Sequence, residues 1–160
     1  MKIERKLMAH YLDAAMPGQS TPNYVRLGKD LEEYSAEMSA NVEKKQNILG
    51  QTSVLLTSYE KSASVESYYA EKGDALFQRL QSIVDGYQVL DACNTTVVEV
   101  HLWEQADATK GFPAVMDEAV LEVSSYGGDN TGYQLPFTLH YKGNPKKGFF
   151  KVETRTFTPT

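Results

Sequence analysis

One stretch of this chain, residues 73–86, carries helix signals at both ends and a helical stripe between them. Leu76, Phe77, Leu80, Ile83 and Val84 recur at the spacing of one helix face. Asp74 stands where a side chain can accept hydrogen bonds from the first orphan amides, and Gly86 where a left-handed residue can end the helix. Most flanking segments alternate with period two. A lone amphipathic helix among strands cannot bury its stripe by itself, so it must lie against a sheet as a core helix.

The strand reading runs through most of the remainder. In residues 34–43, Tyr34, Ala36, Met38, Ala40 and Val42 alternate with Ser35, Glu37, Ser39, Asn41 and Glu43, giving one apolar and one polar, acidic side. Lys44, Lys45, Gln46, Asn47, Ile48, Leu49, Gly50 and Gln51 interrupt the pattern, and a second strand follows over residues 54–59. The two form a hairpin with a long loop, and long loops in compact domains tend to serve function. Residues 61–71 read as a crossing to the helix. Later strands are expected over residues 96–104, 116–126, 133–141 and 149–157, with turns at 106–111, 127–132 and 142–148. Pro136 places its strand at an edge or a bulge. Residues 3–16 fit either a helix, with Ile3, Leu7, Met8, Tyr11, Leu12 and Ala15 on one face, or a strand; periodicity slightly favours the helix.

Sequential strands with short connections pair antiparallel. The expected fold is therefore mainly β, an antiparallel β-sandwich or partly rolled barrel with one amphipathic helix packed on it. A length of 160 residues fits a single domain spanning residues 1–160.

Charge and cysteine content narrow the function. The formal net charge of −5 argues against a nucleic-acid binder, which needs basic surface to displace phosphate counterions. Cys93 is the only cysteine, so no intrachain disulfide forms, and with no histidine nearby it reads as a small buried residue. No apolar run has the length of a signal peptide or of a membrane span, so the chain reads as cytoplasmic at synthesis, with no membrane partner.

No catalytic constellation emerges. His10, His101 and His140 lack a second ligand at zinc spacing. The stretch Gly127-Gly128-Asp129-Asn130-Thr131-Gly132 lacks the alternating acids of a calcium loop and reads as a hairpin turn. The acids Asp30, Glu32, Glu33 and Glu37 read as a solvated face rather than a catalytic pair. We expect no enzyme activity, no metal and no cofactor. Alternating faces, an extended loop and exposed edges leave assembly as the economical reading, with a β-sandwich module binding a peptide or sugar through its ten tyrosines as the alternative.

Residues 24–33 (Tyr-Val-Arg-Leu-Gly-Lys-Asp-Leu-Glu-Glu), the strand through Met38 and Asn41, residues 43–50 and the strand 54–59 resemble the tail tube (major tail) proteins of long-tailed bacteriophages. The single helix and the late strand pair ending near Thr158 fit the same layout. The resemblance implies a virion structural subunit that forms hexameric rings stacked into a hollow tube with other tail proteins, made in the host cytoplasm. DNA would pass through the lumen without specific binding. The resemblance also favours a strand over residues 7–13, and it makes Glu43, Lys44, Lys45, Gln46, Asn47, Ile48, Leu49, Gly50 and Gln51 the ring-stacking loop. A lumen that lets DNA slide should avoid dense basic groups. The polar side Ser35, Glu37, Ser39 and Asn41, continued by Ser53 and Thr57, meets that need, with Tyr34, Ala36 and Met38 turned to the core.

Overall fold

The computed structural model describes residues 1–29, 31 and 33–160. Its strands are β1 (Met8–Asp13), β2 (Tyr24–Leu27), β3 (Ala36–Glu37), β4 (Ala40–Gln46), β5 (Thr52–Tyr59), β6 (Ser62–Val65), β7 (Asn94–His101), β8 (Phe112–Val123), β9 (Gly127–Asp129), β10 (Gly132–Gln134), β11 (Phe137–Tyr141), β12 (Lys146–Lys151) and β13 (Thr156–Pro159). The single α-helix, α1, is Ala75–Gly86. Nine strands form one antiparallel, curled sheet in the order β2-β1-β7-β8-β11-β6-β3, with β12 also on β8 and β13 on β12. The pairs β4-β5 and β9-β10 stand as separate two-stranded ribbons.

β8 organises the sheet because it is long enough to hold two partners end to end along one side. Its second half pairs with β11, from Phe137↔Val123 to Tyr141↔Ala119, and its first half with β12, from Lys146↔Met116 to Phe150↔Phe112. Residues 142–145, expected as a hairpin turn, are instead an outward bulge between two collinear strands. The expected strand 149–157 is a hairpin, β12 turning into β13 at Arg155 (φ 54°).

Each face of the curled sheet buries a different set of side chains, which explains why Val97 and Val98, adjacent in β7, are both fully buried. On one face Leu12, Val97, Ala119, Leu121, Phe137 and Leu139 pack against Leu76, Leu80 and Ile83 of α1, with Phe77 and Val84 half-buried beside them. On the other, Ala9, Tyr11, Val98, Val100 and Ala114 gather around Phe150, whose ring lies 4.5 Å from that of Tyr11 and 5.7 Å, edge-on, from that of Tyr24. Burying each large aliphatic side chain contributes roughly 1.5–3 kcal/mol.

The helix starts as expected: Asp74 accepts from the Leu76 amide at 3.1 Å and also takes the Tyr68 hydroxyl at 2.5 Å. Its end differs. Gly86 stays helical, and Tyr87 takes the left-handed position (φ 47°, ψ 45°), its successor's amide, that of Gln88, donating back to Ile83. The amphipathic stripe also hides a charge. Arg79 is buried and its guanidinium donates to the carbonyls of Ala15, Ala92 (3.0 Å) and Asn94 (2.9 Å). It thereby ties α1 to the chain leaving β1 and to the chain entering β7.

Other expectations change with tertiary context. Residues 7–13 form a strand, so the helical reading is set aside. Pro136 splits the expected strand 133–141 into β10 and β11, and β11 lies inside the sheet rather than at its edge. Residues 62–65, expected as part of a crossing, form β6. The strand expected over 34–43 breaks at Ser39 (φ 32°), whose carbonyl accepts from the Glu60 amide at 3.0 Å. Met38 is half-exposed there and does not enter the core, whereas Tyr34 does.

Leu80→Ala should cost about 2–5 kcal/mol through the cavity it leaves. Arg79→Ala should cost about 2–4 kcal/mol by stripping a charged donor from three carbonyls. Chemical denaturation of both variants checks this, and a change under about 0.5 kcal/mol in either, the scale of a surface substitution, would contradict the packing described.

Candidate functional surfaces

The sheet face opposite α1 stays open over β3, β6 and β11, and it is polar because strand alternation sends every second residue there. Glu37 pairs with Ser62 and Ser64 with Thr138, the latter hydroxyls 3.3 Å apart, while His140 lies 2.8 Å from the Glu122 carboxylate. A trough of about 600 Å³ opens on this face, lined by Glu33, Ser35, Glu37, Ser62, Ser64, Glu66, Ser67 and Tyr69. Three carboxylates and no Lys or Arg line it. Of the acids singled out in the sequence, Glu33 and Glu37 border this trough; Asp30 and Glu32 lie outside the described residues.

The second surface is the β4-β5 hairpin. All of its strand residues are exposed, so none of the described residues covers it. The ladder runs from Ala40↔Tyr59 to Gln46↔Thr52, which shortens the expected loop: Glu43, Lys44, Lys45 and Gln46 are strand, and only residues 47–51 turn. The turn is held by Asn47, whose side-chain oxygen accepts from the amides of Leu49 (2.9 Å) and Gln51 (3.0 Å). Thr57 is bulged out of register and donates to the Asn41 carbonyl at 3.0 Å. With that bulge, Ala40, Val42, Lys44, Val54, Leu56 and Tyr59 share one face, and Asn41, Glu43, Lys45, Ser53, Leu55 and Ser58 the other. Ile48 and Leu49 project at the tip, with Ile48 fully exposed.

The residues expected to share one polar surface are therefore divided. Ser35 and Glu37 lie at the trough, Asn41 and Ser53 on the polar side of the hairpin, Ser39 in the kink between them and Thr57 at the bulge. The sequence reading missed Ser62, Ser64, Glu66 and Ser67 because β6 is too short to display its alternation. The signal was present in Ser62-Ala63-Ser64-Val65, where small polar and apolar residues alternate.

A third group is buried beyond the end of α1, on the helix side of the sheet. Lys61 lies 3.2 Å from the Glu99 carboxylate and over the Tyr141 ring at 4.4 Å, and the hydroxyls of Tyr141 and Tyr34 are 3.0 Å apart. His10 stacks 4.4 Å from Tyr34, with Nδ1 4.0 Å from Glu99. Burial lowers the His10 pKa to about 4 despite the Glu99 carboxylate, raises that of Tyr34 to about 12, and pushes the Asp117 carboxyl up. Cys93 is buried too, its thiol donating to the Gln88 carbonyl at 3.2 Å and its pKa pushed up by burial, the reverse of what a nucleophile needs. The 127–132 segment is the expected turn: Asp129 accepts from the Thr131 amide at 2.9 Å and from its hydroxyl. Among the described residues no helix is long and apolar enough to cross a membrane.

No family model matches the chain, and no curated protein matches it. Among solved structures it is similar to the SPP1 tail tube, determined by solid-state NMR with cryo-electron microscopy. The match has a TM-score of 0.63, covers 92% of this chain and 80% of that chain, and shows 13% sequence identity. This chain has the tail-tube fold. At such low identity the likeness speaks to architecture and not to individual side chains.

The buried histidine gives a prediction. Its folded pKa of about 4 lies below the ordinary 6.5, so the unfolded chain takes up the proton first as pH falls. The stability this contributes is complete above pH ~6.5 and is lost toward pH ~4, on the order of 3 kcal/mol in total. The raised carboxyl of Asp117 works in the opposite direction and is present in both proteins, so the comparison isolates the imidazole. Unfolding measured from pH 7 to pH 4 should therefore fall more steeply for the parent than for His10→Phe; parallel profiles would contradict the buried neutral imidazole.

Proposed function

We propose that this protein is a virion structural subunit that assembles into hexameric rings stacked as a phage tail tube. The observation that carries the reading is the tail-tube fold over 92% of the chain. A second supports it: a two-stranded arm with no cover of its own, ending in Ile48 and Leu49. Exposed apolar surface of this extent on a soluble subunit is an interaction surface or a liability. The arm is the ring-stacking element, now drawn to include the whole hairpin rather than the loop alone. No catalytic role is assigned.

The open polar face serves as the wall of the channel. DNA carries about one negative charge per 1.7 Å of axis, and a lysine-rich wall would add a phosphate site at every contact. The trough with Glu37, Ser62, Ser64 and Glu66 offers none, and small hydroxyls exchange water bonds at little cost. Double-stranded DNA then passes without specific binding. The partners are further copies and the other tail proteins, and the finished location is the virion tail, reached from the host cytoplasm.

The test uses electron microscopy of the concentrated purified protein, which should show rings or tubes. Replacing residues 42–56 with a short Gly-Ser turn removes only exposed side chains, so circular dichroism and the melting transition should hardly change while tubes disappear. Tubes forming at normal yield from that variant would refute the role of the arm, and a parent protein that stays monomeric would refute the assembly reading.

A further inference from the structure

Most of the exposed large apolar side chains fall in two groups, with Met1, Ile3, Met38 and Tyr133 outside them. Among the described residues, Val42, Ile48, Leu49, Val54, Leu55, Leu56 and Tyr59 lie on the hairpin, and Tyr87, Val89, Leu90 and Tyr126 lie around one groove at the far end of α1. The groove holds about 550 Å³ between α1, the segment after it and the end of β8. Its floor is a free strand edge. The β7-β8 ladder stops at Asn94↔Val120, because the chain before Asn94 turns into a short 3-10 helix, Leu90–Cys93, while β8 runs on to Val123. On that side residues 121–123 have no strand alongside, although β11 pairs them on the other. An unpaired edge under an apolar wall is the form of site that accepts an added strand.

The wall is also held open against local preference. Tyr87 (φ 47°) and Leu90 (φ 58°) both sit in the left-handed region, which disfavours bulky side chains, and they display those side chains 89% and 82% exposed. Strain of this kind persists where surrounding structure imposes it, and it gathers at binding sites.

We infer that this groove receives the β4-β5 hairpin of a second copy, one hairpin strand adding to the free edge of β8. This rests on the assembly reading and names the partner surface of the arm. Three features select this occupant. The hairpin has two open backbone edges, since β4 and β5 pair only with each other. Its apolar face, Val42, Val54, Leu56 and Tyr59, matches a wall built of Ile83, Val84, Val89 and Leu90. Lys44 interrupts that face, while the exposed Asp85 and Asp91 directly follow the wall residues Val84 and Leu90 in the chain, so the charges are opposite. Arm and groove are different patches of one chain, so the contact is head-to-tail. Repeated in one direction, such contacts propagate into rings or open helical stacks.

Cysteine cross-linking tests this. In a Cys93→Ser background, one set of chains carries Ile48→Cys, Leu49→Cys or Val54→Cys, and a second carries Ser125→Cys at the groove. Mixed under mild oxidation, at least one hairpin variant should form a disulfide-linked heterodimer with the groove variant. Adding Leu90→Asp to the groove chain should abolish that link without unfolding the chain, since Leu90 is exposed and Asp tolerates its backbone conformation. Tubes that form with no heterotypic link, or a link that survives Leu90→Asp, would overturn the groove as receptor while leaving the tube reading standing. A link formed in assemblies that never become tubes would support the receptor and overturn the tube reading. Monomers with no link would overturn both.

Discussion

The seat of α1 on the curled sheet is the contact on which the rest of the molecule depends. Leu76, Leu80 and Ile83 seal one face of β7, β8 and β11, and Arg79 fastens the same helix to the chain leaving β1 and the chain entering the adjacent β7 through three carbonyls. A buried guanidinium is costly unless its donors are used, so this clasp fixes where the helix lies as well as how firmly. With one face closed in this way, the remaining polar residues of β3, β6 and β11 have no cover, and a continuous hydrophilic wall results. The charged group around Lys61 and Glu99 falls just past the end of that cover, where the sheet is still buried but the helix no longer supplies apolar contacts.

The second consequence is curvature. Because β8 carries β11 and β12 in line, its two halves turn opposite faces to the two cores, and the sheet rolls instead of lying flat. Rolling leaves unequal edges. β3 is two residues long and offers little to pair with, whereas the end of β8 is open beside an apolar wall. The hairpin leaves the sheet at Ser39, where the backbone turns through a left-handed residue, and stands clear of the body. A subunit shaped this way has a closed interior and two unsatisfied apolar surfaces, a combination that favours a polymer over a monomer.

Much of this was legible in the sequence where periodicity was long and punctuation clear. Asp74, the stripe from Leu76 to Val84, and the alternation in residues 96–104 and 54–59 all lead to the elements found, although the first of these strands runs over Asn94–His101 and ends before Leu102. What was not legible depended on contacts far apart in the chain. Nothing in the sequence singles out Arg79, because only the fold brings Ala15, Ala92 and Asn94 to it. Gly86 looked like the helix stop, but Tyr87 takes that place at a conformational cost that local preference would reject. Residues 142–148 carried every mark of a turn, yet 142–145 form a bulge and 146–148 open β12, since β8 is long enough to keep both flanking strands in line. The proposed channel surface was read from the first hairpin strand and its partner; in the fold Ser35 and Glu37 belong to a trough completed by β6, while Asn41 and Ser53 leave with the hairpin.

A reconstruction of assembled tubes by cryo-electron microscopy, at a resolution that places side chains, tests the account most directly. It predicts that Glu37, Ser62, Ser64 and Glu66 of every subunit face the central channel, with α1 on the far side of the sheet. Finding those residues on the outer wall, with α1 toward the axis, would contradict it.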